Sequence, residues 1–257
     1  MSGARRTITD LGVAGLALLV IALAVEAWTR ALDVPGYLVP APSDVLARIV
    51  TEWPFFLREA GITVAEASGG FVVGTAVAFA IAAAMVRSRM LERTLFPLAI
   101  LVKLTPIVAV APLFTLWFGF GSAPKVAIAA LITFFPMVVN AFVGLRSADP
   151  QEVAFLETLG ASRAEIFRHL RVPSALPYLF SGARISVNLA LIGAVIGEWT
   201  GADRGLGRVI LVANANLDLA TLFAAVLLLA VIGIAANAVV GASERRVLHW
   251  HPVQLAA

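Results

Sequence analysis

The chain offers few groups that could do chemistry, and most of them stand singly in apolar surroundings. Lys103, Asn140 and Asn188 interrupt long apolar runs, Glu198 closes one beside Trp199, and Glu66 lies near the start of another. A lysine held in hydrocarbon costs roughly 2.5–3.5 kcal/mol. Lys103 is therefore a candidate for drawing in an anion or a carbonyl oxygen, the alternatives being snorkelling to an interface or pairing with a carboxylate. Asn140 and Asn188 either line a polar route or hydrogen-bond between helices. Glu198 marks the outer end of its run, or a gate, rather than a catalytic acid. No HExxH, GxSxG or GxxxxGK[ST] pattern occurs, the chain has no cysteine, and His169, His249 and His251 lack ligand spacing. A non-catalytic chain that binds no metal and no cofactor of its own is expected.

The elements that position these residues are dictated by composition. In 257 residues, 60% are hydrophobic and 14% charged, and the mean hydropathy is +0.94. A soluble domain with such long uncharged runs would leave broad apolar patches in water. Six apolar stretches approach the ~20 residues that cross a bilayer as helix, at about 11–28, 64–86, 95–118, 125–145, 177–199 and 217–241. An all-α integral membrane protein of about six transmembrane helices follows. Arg5 and Arg6 ahead of the first run suggest a signal peptide, but no small-residue cleavage site follows and Glu26-Ala27-Trp28 closes it as an interfacial anchor would. With the N-terminus in the cytoplasm, eleven flanking bases fall inside and six outside, among the latter Lys125. Both termini are then cytoplasmic. The net charge of +3 serves orientation, not nucleic acid.

The expected organisation is a cytoplasmic tail at 1–10, a first helix with an external amphipathic segment at 11–62, a core at 63–242 and a cytoplasmic tail at 243–257. In the external segment, Ser43 or Asp44 caps a helix whose Val45, Leu46, Ile49, Val50 and Trp53 share one face. Pro97, Pro106, Pro112 and Pro136 free backbone carbonyls in the third and fourth spans, which should therefore face protein or a water-filled cavity. Gly69, Gly70, Gly74 and Gly193 suit close helix packing.

The loop at 147–175 carries the most explicit signals. Asp149 as N-cap, Pro150 at the first helical position and Glu152 as the capping-box partner start a helix that ends at Gly160. Ser162 and Glu165 form a second capping box, and Pro173 stops the following helix. Val153, Leu156 and Leu159, then Ile166, Phe167 and Leu170, recur at spacings of three or four. Two short amphipathic helices meeting at Gly160-Ala161 are built to dock.

This loop resembles the EAA loop of binding-protein-dependent ABC importer permeases, whose Gly, aliphatic and Leu-Pro spacing is met by Gly160, Leu170, Val172 and Pro173, with Val in place of Leu. The Glu-Ala-Ala of that loop falls on Ala154, Phe155 and Leu156, so its acid is absent and Glu157 lies one turn on. The run from Thr105 to Leu145, PAPSDVL and GEWTGADRGLGRVI are similar to the nitrate, sulfonate and taurine branch. Its thiamine-precursor pyrimidine and riboflavin permeases are nearest in pattern. The resemblance implies a type I permease of a bacterial inner membrane, paired as a dimer, most simply a homodimer. It implies two cytoplasmic ATPases that carry ATP and Mg, and an external solute-binding protein. The helix at Ala154, Glu157, Gly160, Ala161, Phe167, Leu170 and Pro173 would be the coupling helix. The cargo would be a pyrimidine-type vitamin precursor, riboflavin, or a sulfonate, taurine or nitrate, with Lys103, Asn140, Asn188 and Glu198 as pathway candidates. A secondary transporter or channel working without an ATPase is the alternative, but it has no use for the capped loop.

Overall fold

The protein is described by a computed structural model over residues 2–250, without the side chains of residues 2–12, 14, 102 and 103. Among the described residues the chain is helical and four helices are long and apolar enough to cross a membrane. These are α3 (Trp53–Arg87), α6 (Ser122–Arg146), the run Arg163–Trp199, and α11 (Leu219–Val247). Ahead of them stand α1 (Ser2–Ala31) and α2 (Pro42–Thr51). Between α3 and α6 lie α4 (Arg89–Leu104) and α5 (Ile107–Phe118). The loop helix is α7 (Pro150–Thr158), and α10 (Leu206–Ala215) precedes α11.

The centre is α3, α6 and the Arg163–Trp199 run, drawn together by small residues. A Cβ on Gly70 would lie 2.3 Å from Ala129 Cβ, one on Gly74 2.6 Å from the Ala130 carbonyl, and one on Gly193 2.6 Å from Ala129 Cα. Backbone contact this close leaves no room for a side chain. Toward one end, Met85, Met137, Ala141 and Leu145 fill the space between the same helices; toward the other, Phe56 packs with Val45, Leu206, Val209 and Ala224. Arg87 lies 21 positions beyond Glu66, and Arg146 21 beyond Lys125. At 1.5 Å per residue each stretch measures about 31 Å, the thickness of the hydrocarbon layer.

Several sequence expectations change. The single span at 95–118 is two helices, broken at Thr105-Pro106. Proline denies the next turn its N–H and pushes Thr105 out of helical conformation; the Thr105 hydroxyl donates to the Leu101 carbonyl at 3.0 Å and closes α4. Pro173 does not stop a helix. A four-residue α8 (Arg163–Ile166) runs through one widened π turn, Phe167–Arg171, into α9 (Val172–Trp199). The Val172 N–H donates to the Phe167 carbonyl, five residues back, and this wide turn admits the proline ring. Asp149 caps α7 but the capping box with Glu152 does not form: its side chain accepts from the Gln151 N–H at 2.8 Å, and Glu152 contributes neither bond.

The external segment is also rearranged. Ala41 is the N-cap of α2 with Pro42 at the first turn, and neither Ser43 nor Asp44 caps it. Ser43 instead donates to Glu26 through both its N–H and its hydroxyl, and Asp44 pairs with Arg30 at 2.7 Å, joining α2 to α1. Of the expected apolar face, Val45 is buried and Ile49 half-buried, whereas Leu46, Val50 and Trp53 are exposed.

Candidate functional site

Three places in the bundle gather polar groups. The first is at the ends of α3, α6 and α9 opposite Arg87 and Arg146, the ends that the distribution of basic residues predicts to be outer. Glu59, Thr63 and Glu66 recur along one face of α3 at intervals of four and three, and all are buried. Glu198, in the last turn of α9, is fully buried and accepts from the Thr63 hydroxyl at 2.7 Å and from the Gly207 N–H. Thr63 in turn accepts from the Leu206 N–H at 2.9 Å, and Glu59 accepts from the Gly205 N–H at 2.6 Å. The first N–H groups of α10 are thus all taken by side chains of other helices, where a helix N-terminus favours anions. Gly205 has φ +111, and a Cβ there would lie 2.3 Å from the Glu198 carboxyl carbon. A Cβ on Gly207 would meet Glu198 Oε2 at 2.7 Å. The GEWTGADRGLG spacing is therefore the room a folded-back glutamate needs. Beside it Lys125 Nζ stands 3.5 Å from Glu66 Oε1, both side chains buried.

The second is the loop. α7 ends in a Schellman turn: Ala161 N–H donates to the Leu156 carbonyl and Gly160 N–H to that of Glu157, with Gly160 at φ +82. Ser162 and Glu165 complete a reciprocal capping box. Val153 and Leu156 turn half-buried toward the bundle, while Phe155 and Leu159 are 63% and 67% exposed. Ala154, Glu157 and Gly160 are exposed as well, Glu157 on the side of Val153 rather than that of Phe155 and Leu159; Ile166 is buried, and Phe167, Leu170 and Pro173 are half-buried.

The third is a groove of about 560 Å³ between α9 and α11, with Val108 of α5 at one edge. Its walls are apolar apart from Asn188 and Asn237, whose amides bond to each other at 2.8 Å, and Trp199. No ionisable side chain lines it.

Residues 76–249 match the family described as the binding-protein-dependent transport system inner membrane component. The chain belongs to that family. It is an ABC importer permease of the type I fold. It is 35% identical over 219 residues to the formylaminopyrimidine transport permease protein ThiX of Halalkalibacterium halodurans, covering 85% of this chain and 88% of that one. The riboflavin transport system permease protein RibX of Chloroflexus aurantiacus is 34% identical over 218 residues, covering 84% and 81%. The putative aliphatic sulfonates transport permease protein SsuC of Bacillus subtilis is 31% identical over 189 residues, covering 74% and 68%. In fold, the chain matches a solved chain of the inward-facing MetNI methionine ABC transporter with TM-score 0.64 at 17% identity, over 77% of this chain and 98% of that one.

In this permease the pathway candidates are scattered. Glu198 belongs to the outer cluster and Asn188 to the groove. Asn140 donates to the Pro136 carbonyl of its own helix at 2.8 Å and lies against Gly182 of α9. Lys103 is in α4, and its side chain lies outside the described residues. Lys125, expected as an outer flanking base, is buried against Glu66. The sequence reading missed Asn237, Phe155 and the part played by Glu59 and Thr63, although the spacing of Glu59, Thr63 and Glu66 on one helical face is visible in the sequence.

Proposed function

We propose that two copies of this permease, driven by two cytoplasmic ATPases and supplied by an external binding protein, import a neutral nitrogen heterocycle of the pyrimidine or flavin kind. The observation that carries the choice of cargo is the groove between α9 and α11. Apolar walls and one amide pair suit a flat ring whose edge both donates and accepts hydrogen bonds. A sulfonate there would sit in a low-dielectric wall with no cation against it. The names of the pyrimidine and riboflavin relatives favour the same class. Both termini lie in the cytoplasm, on the side of Arg87, Arg146 and the loop at Gly160, and the α7 face bearing Phe155 and Leu159 docks on the ATPase. ATP and Mg are held by that partner.

The test is uptake into ATP-loaded proteoliposomes containing the assembled importer and its binding protein. A labelled pyrimidine is expected to enter and to stimulate ATP hydrolysis, and a Walker-lysine substitution in the ATPase to abolish both. Uptake undiminished without the ATPase would sink the importer mechanism. Uptake of a sulfonate with indifference to pyrimidines would sink the cargo assignment alone and favour the likeness to SsuC. Lys103→Ala is expected to weaken uptake without loss of assembly; unchanged kinetics would leave Lys103 a structural role.

A further inference from the structure

Behind the loop helix lies a second cleft, of about 530 Å³, between the last turn of α3 and the segment from α7 through the π turn. Its lining is divided. Ala83, Ala84 and Val86 come from a membrane-crossing helix, and Arg87, Arg163 and Arg171 ring the opposite part. The cleft therefore stands where hydrocarbon gives way to headgroups. Arg171 donates to the Leu145 carbonyl at 3.3 Å. Arg87 and Arg163 make no ion pair among the described residues. Glu157 is the one acid in the lining, so three guanidiniums face a single carboxylate.

We propose that this cleft binds the phosphate of an anionic phospholipid, its acyl chains along α3 and its headgroup between Arg87 and Arg163. Basic pockets between membrane helices on the cytoplasmic side recognise such headgroups, and guanidinium forks match phosphate oxygens. One headgroup would tie the inner end of α3 to the loop helix, so lipid composition would tune how firmly ATPase movement is transmitted to the bundle.

The probe is phosphatidylglycerol against phosphatidylcholine, read by native mass spectrometry of the assembled importer after detergent exchange. The wild type is expected to retain phosphatidylglycerol about tenfold over phosphatidylcholine, equivalent to about 1.4 kcal/mol. The Arg87→Gln/Arg163→Gln pair is expected to lose that preference while Arg245→Gln/Arg246→Gln, at the end of α11, keeps it. Uptake per ATP should rise with the phosphatidylglycerol fraction in the wild type only. Equal retention of both lipids by the wild type would overturn the proposal without any variant. So would an equal loss in the α11 control, which would mean diffuse surface charge, or displacement by millimolar inorganic phosphate, which would mean a free-anion site.

Discussion

The outer cluster and the loop at Gly160 are the two most polar regions of the bundle, and they are built in opposite ways. At the outer end Glu198, Thr63 and Glu59 are buried and bonded to the first turn of α10, while Glu66 beside them is buried with neither oxygen hydrogen-bonded and is met only by Lys125 at 3.5 Å. At the inner end the loop takes its shape from local bonds, a Schellman turn and a capping box, rests on the bundle through Val153, Leu156 and Ile166, and leaves Phe155 and Leu159 exposed. The first is a closed joint that locks four helices together; the second is a rigid handle with an exposed apolar face, which the proposed function assigns to the ATPase. Substitutions at the outer end should therefore act on stability, and those in the loop on coupling.

The largest effect is expected from Lys125→Met. It leaves Glu66 buried without its counter-charge, and breaking such a pair costs about 3–5 kcal/mol. Thermal unfolding of the solubilised importer should show the loss, and Lys125→Met with Glu66→Gln should recover most of it. Equal loss in the single and double variants would show that the joint does not depend on this charge pair. Next comes Glu198→Ala, which strips the acceptor from the Thr63 hydroxyl and the Gly207 N–H. Orphaning buried donors costs about 1–3 kcal/mol each. Glu198→Gln should lose less, since one carbonyl oxygen remains, and uptake per ATP in surviving complexes should be near normal. A full complex with failed coupling would place Glu198 in the gate and end the contrast drawn between the two ends.

For the loop, Gly160→Val tests the opposite prediction. A Cβ at Gly160 meets nothing within 4 Å, so the penalty is backbone strain at φ +82 alone, about 1–3 kcal/mol. Assembly should survive, with the ratio of uptake to ATP hydrolysis falling several-fold as the handle loses its angle. Gly160→Asn, which tolerates that backbone, should stay near wild type. Normal coupling in the valine variant would argue that the turn is not the link.

How far each region was legible follows from where its interactions run. The loop is made by contacts two to five residues apart, and Asp149, Gly160, Ser162 and Glu165 announced them. The outer cluster joins Thr63 to Glu198 across 135 positions and Glu59 to Gly205 across 146. Periodicity could place these residues at span ends but could not pair them. α10 escaped for the same reason: its Gly205-Leu206-Gly207 start looks like a turn until Glu198 folds onto it. Pro173 misled because the rule that proline ends helices assumes a regular α turn before it, and Phe167–Arg171 is a π turn.

The smallest effect should come from Ser162→Ala, and it separates the rigidity of the handle from its angle. Ser162 gives α8 both halves of its cap: its hydroxyl accepts from the Glu165 N–H, and its own N–H donates to the Glu165 carboxylate at 2.7 Å. Alanine removes the first and leaves the second, for about 1 kcal/mol at an N-cap. The Gly160 turn keeps its φ, so the direction of α7 is unchanged. Hydrogen exchange in 163–167 should then quicken about fivefold, with uptake per ATP little altered. If coupling instead falls as far as in Gly160→Val, stiffness of the α8 start, and not the angle set by Gly160, carries the motion from the ATPase into α9.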